Sequence, residues 1–273
     1  MTGRVLIVNA DDFGFTRDVN AGIIEAHREG ILTATTLMAN GRAFEDAVRL
    51  AKETPALDVG CHLVLVGGHS LLDPGRRFPG SVGELLRAVA TKRLDAYREL
   101  GAQVEKVLQA GLRPVHLDTH KHTHLFPPVL SAVARLSEEY GIPWVRRPFD
   151  LPLAVPPGEI PWTTRAVSGC LGFVRAHFHR VLGRHGCRTT DHFAGFQLTG
   201  RFDGASLARL IEALPEGTTE FMCHPGHCTA ELRGARTRLR ESREEELRAL
   251  KAPEVREAVQ RANVRLARFS ELP

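Results

Sequence analysis

Four stretches of the chain bring carboxylates and imidazoles together in patterns suited to metal and proton chemistry. The apolar run Val5-Leu6-Ile7-Val8 leads straight into Asn9-Ala10-Asp11-Asp12-Phe13-Gly14. Neighbouring carboxylates raise one another's pKa, so a chain that keeps two side by side needs a compensating charge, and a divalent cation is the commonest. The competing expectation is a polar turn in which Asp11 or Asp12 caps the next helix. His62 lies in a second apolar stretch, where a hydrogen-bonded core residue is the plainer expectation. The third stretch, His116-Leu117-Asp118-Thr119-His120-Lys121-His122-Thr123-His124, places four His in nine residues, a density suited to metal or proton chemistry. The fourth, Phe221-Met222-Cys223-His224-Pro225-Gly226, runs an apolar segment into a His and a forced turn. That placement suits a general acid or base, against the simpler expectation of a His that merely ends a strand.

The elements between these stretches alternate. Val5–Val8, Thr33–Met38, Leu57–Val66, Pro114–Asp118, Pro143–Arg147, Thr219–Cys223 and Val264–Phe269 read as strands. Helices are expected near Val19–Glu29, Ala43–Lys52, Asp95–Gly111, Pro127–Tyr140, Glu241–Lys251 and Pro253–Ala262, several of them closed by Gly or opened by Pro. Strand–helix alternation predicts a parallel sheet with helices outside it. No Gly-x-Gly-x-x-Gly follows the first strand, so the dinucleotide-binding open sheet loses support and a closed α/β barrel is expected. In such folds the carboxyl ends of the strands converge on one face. Asp12, His62 and His120 can therefore share one ion, because two imidazoles and a carboxylate make a familiar catalytic metal set. The other His of the 116–124 cluster are expected to orient ligands. His69, His177, His179, His185 and His192 are assigned to surface or packing.

Composition narrows the class. A chain of 273 residues with 43% hydrophobic and 25% charged residues is an ordinary globular one, read as a single domain over 1–273. No apolar run reaches the ~18 residues needed to span a bilayer, and no export signal opens the chain. Five unpaired-looking Cys fit a reducing compartment, so a cytoplasmic location is expected. The net charge of +4 comes without an aromatic-interleaved basic motif, which argues against a nucleic-acid partner. It leaves room for peripheral contact with anionic lipid. The Arg/Glu mixture over Arg233–Arg248 reads as a solvated helix face, and the Pro- and Gly-rich segment Pro148–Pro161 as a long loop at the mouth of a site.

The residues resemble the YdjC-like carbohydrate deacetylases, the chitooligosaccharide and hopanoid-associated deacetylase group. The likeness rests on Asn9-Ala10-Asp11-Asp12-Phe13-Gly14, Gly60-Cys61-His62-Leu63, His116-Leu117-Asp118-Thr119-His120-Lys121-His122 and Cys223-His224-Pro225-Gly226, in that order. It implies an α/β enzyme, a distorted (β/α) TIM-like barrel with parallel strands and outer helices, that removes acetyl from an N-acetylglucosamine-containing substrate, a chitooligosaccharide or a glycolipid such as a glycosylated hopanoid. One divalent metal ion (Mg2+ or Zn2+, with Mn2+ or Co2+ as alternatives) would be the cofactor, and a homodimer is compatible. Residue by residue, Asp12, His62 and His120 match the metal ligands, Asp11 the base and His224 the acid. Arg146 falls where the family often has Arg, either holding substrate or orienting Asp11. Cys61 departs from the pattern, and Trp162–His192 matches poorly, which bears on substrate identity. The ion would acidify water and polarise the acetyl carbonyl, Asp11 would take the proton, and His224 would protonate the departing amine. Two alternatives remain: another metal-dependent hydrolase, such as a phosphoesterase on the same barrel, or a metal-binding protein without catalysis.

Overall fold

A computed structural model describes residues 3–151 and 174–273; the Pro148–Pro161 segment expected to form a loop therefore lies mostly outside the described residues. All the paired strands are parallel, in the order β5-β4-β3-β2-β1-β7-β6, with β8 also on β1. They are β1 (Arg4–Phe13), β2 (Ala34–Leu37), β3 (Asp58–Leu63), β4 (His116–Thr119), β5 (Trp144–Val145), β6 (His192–Ala194), β7 (Gly217–Cys223) and β8 (Val264–Leu266). Parallel bridges Trp144–Arg188 and Asp150–Phe193 bring the β5 edge round to the β6 edge. The result is the expected α/β distorted barrel. Short strands such as β6 escape the pattern in the sequence because three residues carry too little periodicity.

The strands connect through α1 (Arg17–Glu29), α2 (Phe44–Glu53), α3 (Val82–Ala90), α4 (Ala96–Gln109), α5 (Pro127–Tyr140), α6 (a helix over 174–184), α7 (Gly204–Glu212), α8 (Ala230–Arg233), α9 (Glu241–Lys251) and α10 (Pro253–Arg261). Local chemistry sets their ends. Thr16 caps α1 by accepting from Val19 N at 3.3 Å, so neither Asp11 nor Asp12 is needed as a cap. Asp95 caps α4 through Arg98 N, Pro127 opens α5, and Gly141 closes it with a left-handed φ of 64°. Leu6, Val8, Phe13, Ile23, Leu37, Leu100, Val133 and Phe221 are among the fully buried side chains that bind sheet to helices. No helix among the described residues is long and apolar enough to cross a membrane.

Candidate metal centre and active site

Sheet register assembles the site. β3 and β4 pair His62 with Asp118, and β4 and β5 pair Leu117 with Val145, so Arg146 follows beside Asp118. On the other flank Ala10 of β1 pairs with Cys223 of β7, which brings Asp11 and His224 to the same level just beyond. An irregular end of β1 and the turn after β4 then add the remaining groups. Asp12 has φ 70°, and Lys121 and His122 have φ 57° and 51°. Left-handed backbone is unusual for such residues and clusters at functional sites. Here it turns the chain at the two places where ligand candidates leave the barrel.

Asp12, His62 and His120 offer one atom each within 4.8 Å of one another. Asp12 Oδ1 lies 3.4 Å from His62 Nε2 and 3.4 Å from His120 Nδ1, and the two ring nitrogens are 3.2 Å apart. His62 Nδ1 meets Asp118 Oδ1 at 2.6 Å, a contact that holds the Nδ1 proton and leaves Nε2 for an ion. Thr36 Oγ1 donates to Asp118 Oδ2 at 3.2 Å. Asp12 Oδ1 is buried without a hydrogen-bond partner among the described residues. Such an orphaned acceptor is costly, and one beside two imidazole nitrogens fits a divalent cation. Burial lowers the His62 pKa, but Asp118 and Asp11 outweigh it and push it up to about 10; the field that would hold a proton there also favours an ion.

The two adjacent carboxylates are separated by their partners. Asp11 accepts from Arg146 Nη1 at 2.9 Å and Nη2 at 2.7 Å. Burial raises its pKa, but Arg146 more than offsets this and holds it well below the usual carboxylate range. Asp12 Oδ2 instead accepts from Arg243 Nη2 at 2.5 Å, and Arg243 likewise overrides burial to keep this carboxyl low. Arg146 also reaches Asp118 Oδ2 and Glu220 Oε1, both at 2.7 Å, and is 1% exposed. All its nitrogens are engaged inside the barrel, so of its two expected roles the geometry favours orienting Asp11 over touching substrate. A second acidic group, Asp11, His62 and Asp118, is already spanned by this guanidinium.

His224 Nε2 lies 3.8 Å from Asp11 Oδ2. Burial lowers its pKa to about 4 against the pull of Asp11 and Asp12, so the ring is neutral at neutral pH. Its backbone N–H donates to Glu246 Oε2 at 2.5 Å. The His cluster divides as follows. His120 alone joins the ligand group. His124 bridges Thr119 Oγ1 at 2.6 Å and the Arg146 carbonyl at 3.0 Å, with burial pushing it down to about 3. His122 packs edge-on to Phe193 and Phe196. His116 stacks on Phe269 and meets Asn9 Oδ1 at 3.2 Å.

Arg243 and Glu246 correct the expectation of a solvated face over Arg233–Arg248, since both are 1% exposed. The sequence carried a signal: Arg243, Glu246, Leu247 and Leu250 recur at i, i+3, i+4 and i+7, the spacing of a buried helical stripe, and Leu247 and Leu250 are buried. The alternating charges around them obscured it. Glu220 on β7, which accepts from Asn9 Nδ2 as well as Arg146, was hidden inside an apolar strand; burial pushes its carboxyl up to about 7.

The sequence matches the YdjC-like protein family over residues 5–261. The chain belongs to that family. A carbohydrate deacetylase of Brevibacillus brevis is 37% identical to this YdjC-like chain over 98% of it and 99% of the relative. A chitooligosaccharide deacetylase of Salmonella paratyphi B is 34% identical over 81% of each. A crystal structure from Enterococcus faecalis V583, of a protein named for cellobiose-phosphate cleavage, superposes with a TM-score of 0.75 at 24% identity, covering 98% of both chains. That likeness supports the YdjC-like chain's fold.

Proposed function

We propose that this protein is a metal-dependent carbohydrate deacetylase, hydrolysing the N-acetyl group of an N-acetylglucosamine-containing substrate. The observation that carries the reading is the split of Asp11 and Asp12 between two guanidiniums. One carboxylate faces two imidazoles, and the other faces His224. The names of the family relatives support the substrate class, carbohydrate in one and chitooligosaccharide in the other, with an amino-sugar glycolipid as the alternative.

Asp12, His62 and His120 would hold the ion through an oxygen and two nitrogens, a set that suits Zn2+ and, with water, Mg2+, Mn2+ or Co2+. Bound there, it supplies Lewis acidity that acidifies water and polarises the acetyl carbonyl. Asp11 stays anionic because Arg146 fixes both of its oxygens, so it accepts the proton of the attacking water. A carboxylate held so low keeps a proton poorly and passes it on. His224 Nε2, 3.8 Å away, is neutral and can receive it once the two close to hydrogen-bond distance or through one bridging water. The resulting imidazolium then protonates the departing amine. Arg146 already occupies the second acidic group, which favours this one-ion chemistry over a two-metal phosphoesterase.

The test is acetate release from short chitooligosaccharides and N-acetylglucosaminyl glycolipids, with and without chelator. Release that chelator stops and added metal restores is expected. No release from any acetylated amino sugar with any of the four metals would overturn the reading.

A further inference from the structure

We propose that Arg243 is a positioning residue of the metal centre, holding one oxygen of Asp12 so that this carboxylate meets the ion through the other oxygen alone. The inference rests on Asp12, His62 and His120 being the ligands. The two oxygens of Asp12 have unlike surroundings. Oδ2 is 2.5 Å from Arg243 Nη2, whereas Oδ1 has no hydrogen-bond partner among the described residues and faces both imidazoles at 3.4 Å. A chelating, two-oxygen mode would set the ion beside the guanidinium that already holds Oδ2, at a cost in like-charge repulsion.

The clamp is itself held. Arg243 Nε donates to the Leu239 carbonyl at 3.3 Å, and the Arg243 carbonyl accepts from Gly226 N at 3.2 Å. Gly226 packs so closely that an added Cβ would stand 3.3 Å from Arg243 Cδ. One turn along α9, Glu246 accepts from His224 N and from Gly200 N at 2.5 and 2.7 Å. A single turn of α9 thus grips the ligand carboxylate through Arg243 and the backbone of His224 through Glu246. It ties Asp12 and the backbone of His224 to one element, although α9 supplies no ligand. Burying a guanidinium is expensive unless its partner is well placed, which makes an incidental contact at this depth a poor account of the pair.

A purely structural ion pair would affect stability and leave ion affinity alone, so the deciding readout is metal binding. Metal-free parent, Arg243→Met and Arg243→Lys proteins are titrated with zinc against a chromophoric chelator, with circular dichroism to confirm the fold. Loss of an outer partner of a ligand typically costs about 10–100-fold in affinity; that loss is expected for Arg243→Met, with a smaller one for Arg243→Lys. A folded Arg243→Met protein that binds zinc within about threefold of the parent overturns the inference. Should Arg243→Met fail to fold, the parent decides through hydrogen exchange. Zinc must then slow amide exchange over residues 241–248 by about fivefold or more, and unchanged exchange there overturns the inference. If the parent binds none of zinc, cobalt, manganese or magnesium, the metal centre itself is refuted and the inference with it.

Discussion

Asp11 and Arg146 meet in a two-pronged contact, Oδ2 to Nη1 at 2.9 Å and Oδ1 to Nη2 at 2.7 Å, deep inside the barrel. The pairing fixes both carboxylate oxygens and leaves the neighbouring Asp12 to the imidazoles. Asp11→Asn keeps the shape but loses the charge that accepts a proton. Acetate release is expected to fall by about 10²–10⁴-fold, while zinc content measured by elemental analysis stays near that of the parent. Near-full activity in this variant would remove Asp11 from the role of base.

Asp118 is fully buried, holds His62 Nδ1 at 2.6 Å and shares Arg146. Asp118→Asn weakens the hold on the His62 tautomer, and the usual cost of such a change is about 10–100-fold in metal affinity or activity. Metal titration alongside kinetics checks it: affinity should fall, and saturating metal should recover part of the rate. Unchanged affinity and rate would show that His62 needs no such orientation.

The same pairs predict how the fold responds to acid. Asp11 is held below its ordinary value of 3.8 despite burial, chiefly by Arg146. A depressed folded-state pKa gives stability that is present above the unfolded value and is lost as pH falls through the folded one. Below about pH 4 the metal-free parent should therefore lose stability, and Asp11→Asn, which has no proton to take up, should lose it less steeply. Denaturant midpoints from pH 4 down to pH 2 provide the comparison. Equal slopes would mean that the Asp11–Arg146 pair contributes no such linkage.

Much of this centre was legible from residue order. Asp12, His62 and His120 each stand at or just past a strand end, and a parallel barrel brings such ends together. Arg243 and Glu246 were not recognised because their helix is charged on nearly every face, so a buried Arg and Glu looked like their solvated neighbours. Glu220 sits among Thr219, Phe221 and Met222 in β7, where only knowledge of Arg146 across the barrel explains a carboxylate. The capping alternative for Asp11-Asp12 failed for a local reason: Thr16 is closer to the start of α1 and does the work. Helix α3 carries little signal because Leu85 is its one buried residue, whereas α7 does place Leu207, Leu210 and Ile211 at i, i+3 and i+4.

Gly22 of α1 tests whether backbone packing sets the position of His224. A Cβ at Gly22 would stand 2.5 Å from Gly226 Cα and 3.0 Å from Gly226 N, inside the turn that follows His224-Pro225. Backbone cannot swing aside as a side-chain tip can, so Gly22→Ala must push helix and turn apart at an overpacking cost of about 1–3 kcal/mol. The shift would move His224 relative to Asp11, and would carry with it the Arg243 side chain that packs on Gly226. The expected signature is a lowered melting temperature and a kcat reduced about tenfold or more at saturating zinc, since small misplacements of a catalytic group cost heavily. Loss of zinc affinity with unchanged kcat would place the strain at the metal ligands instead.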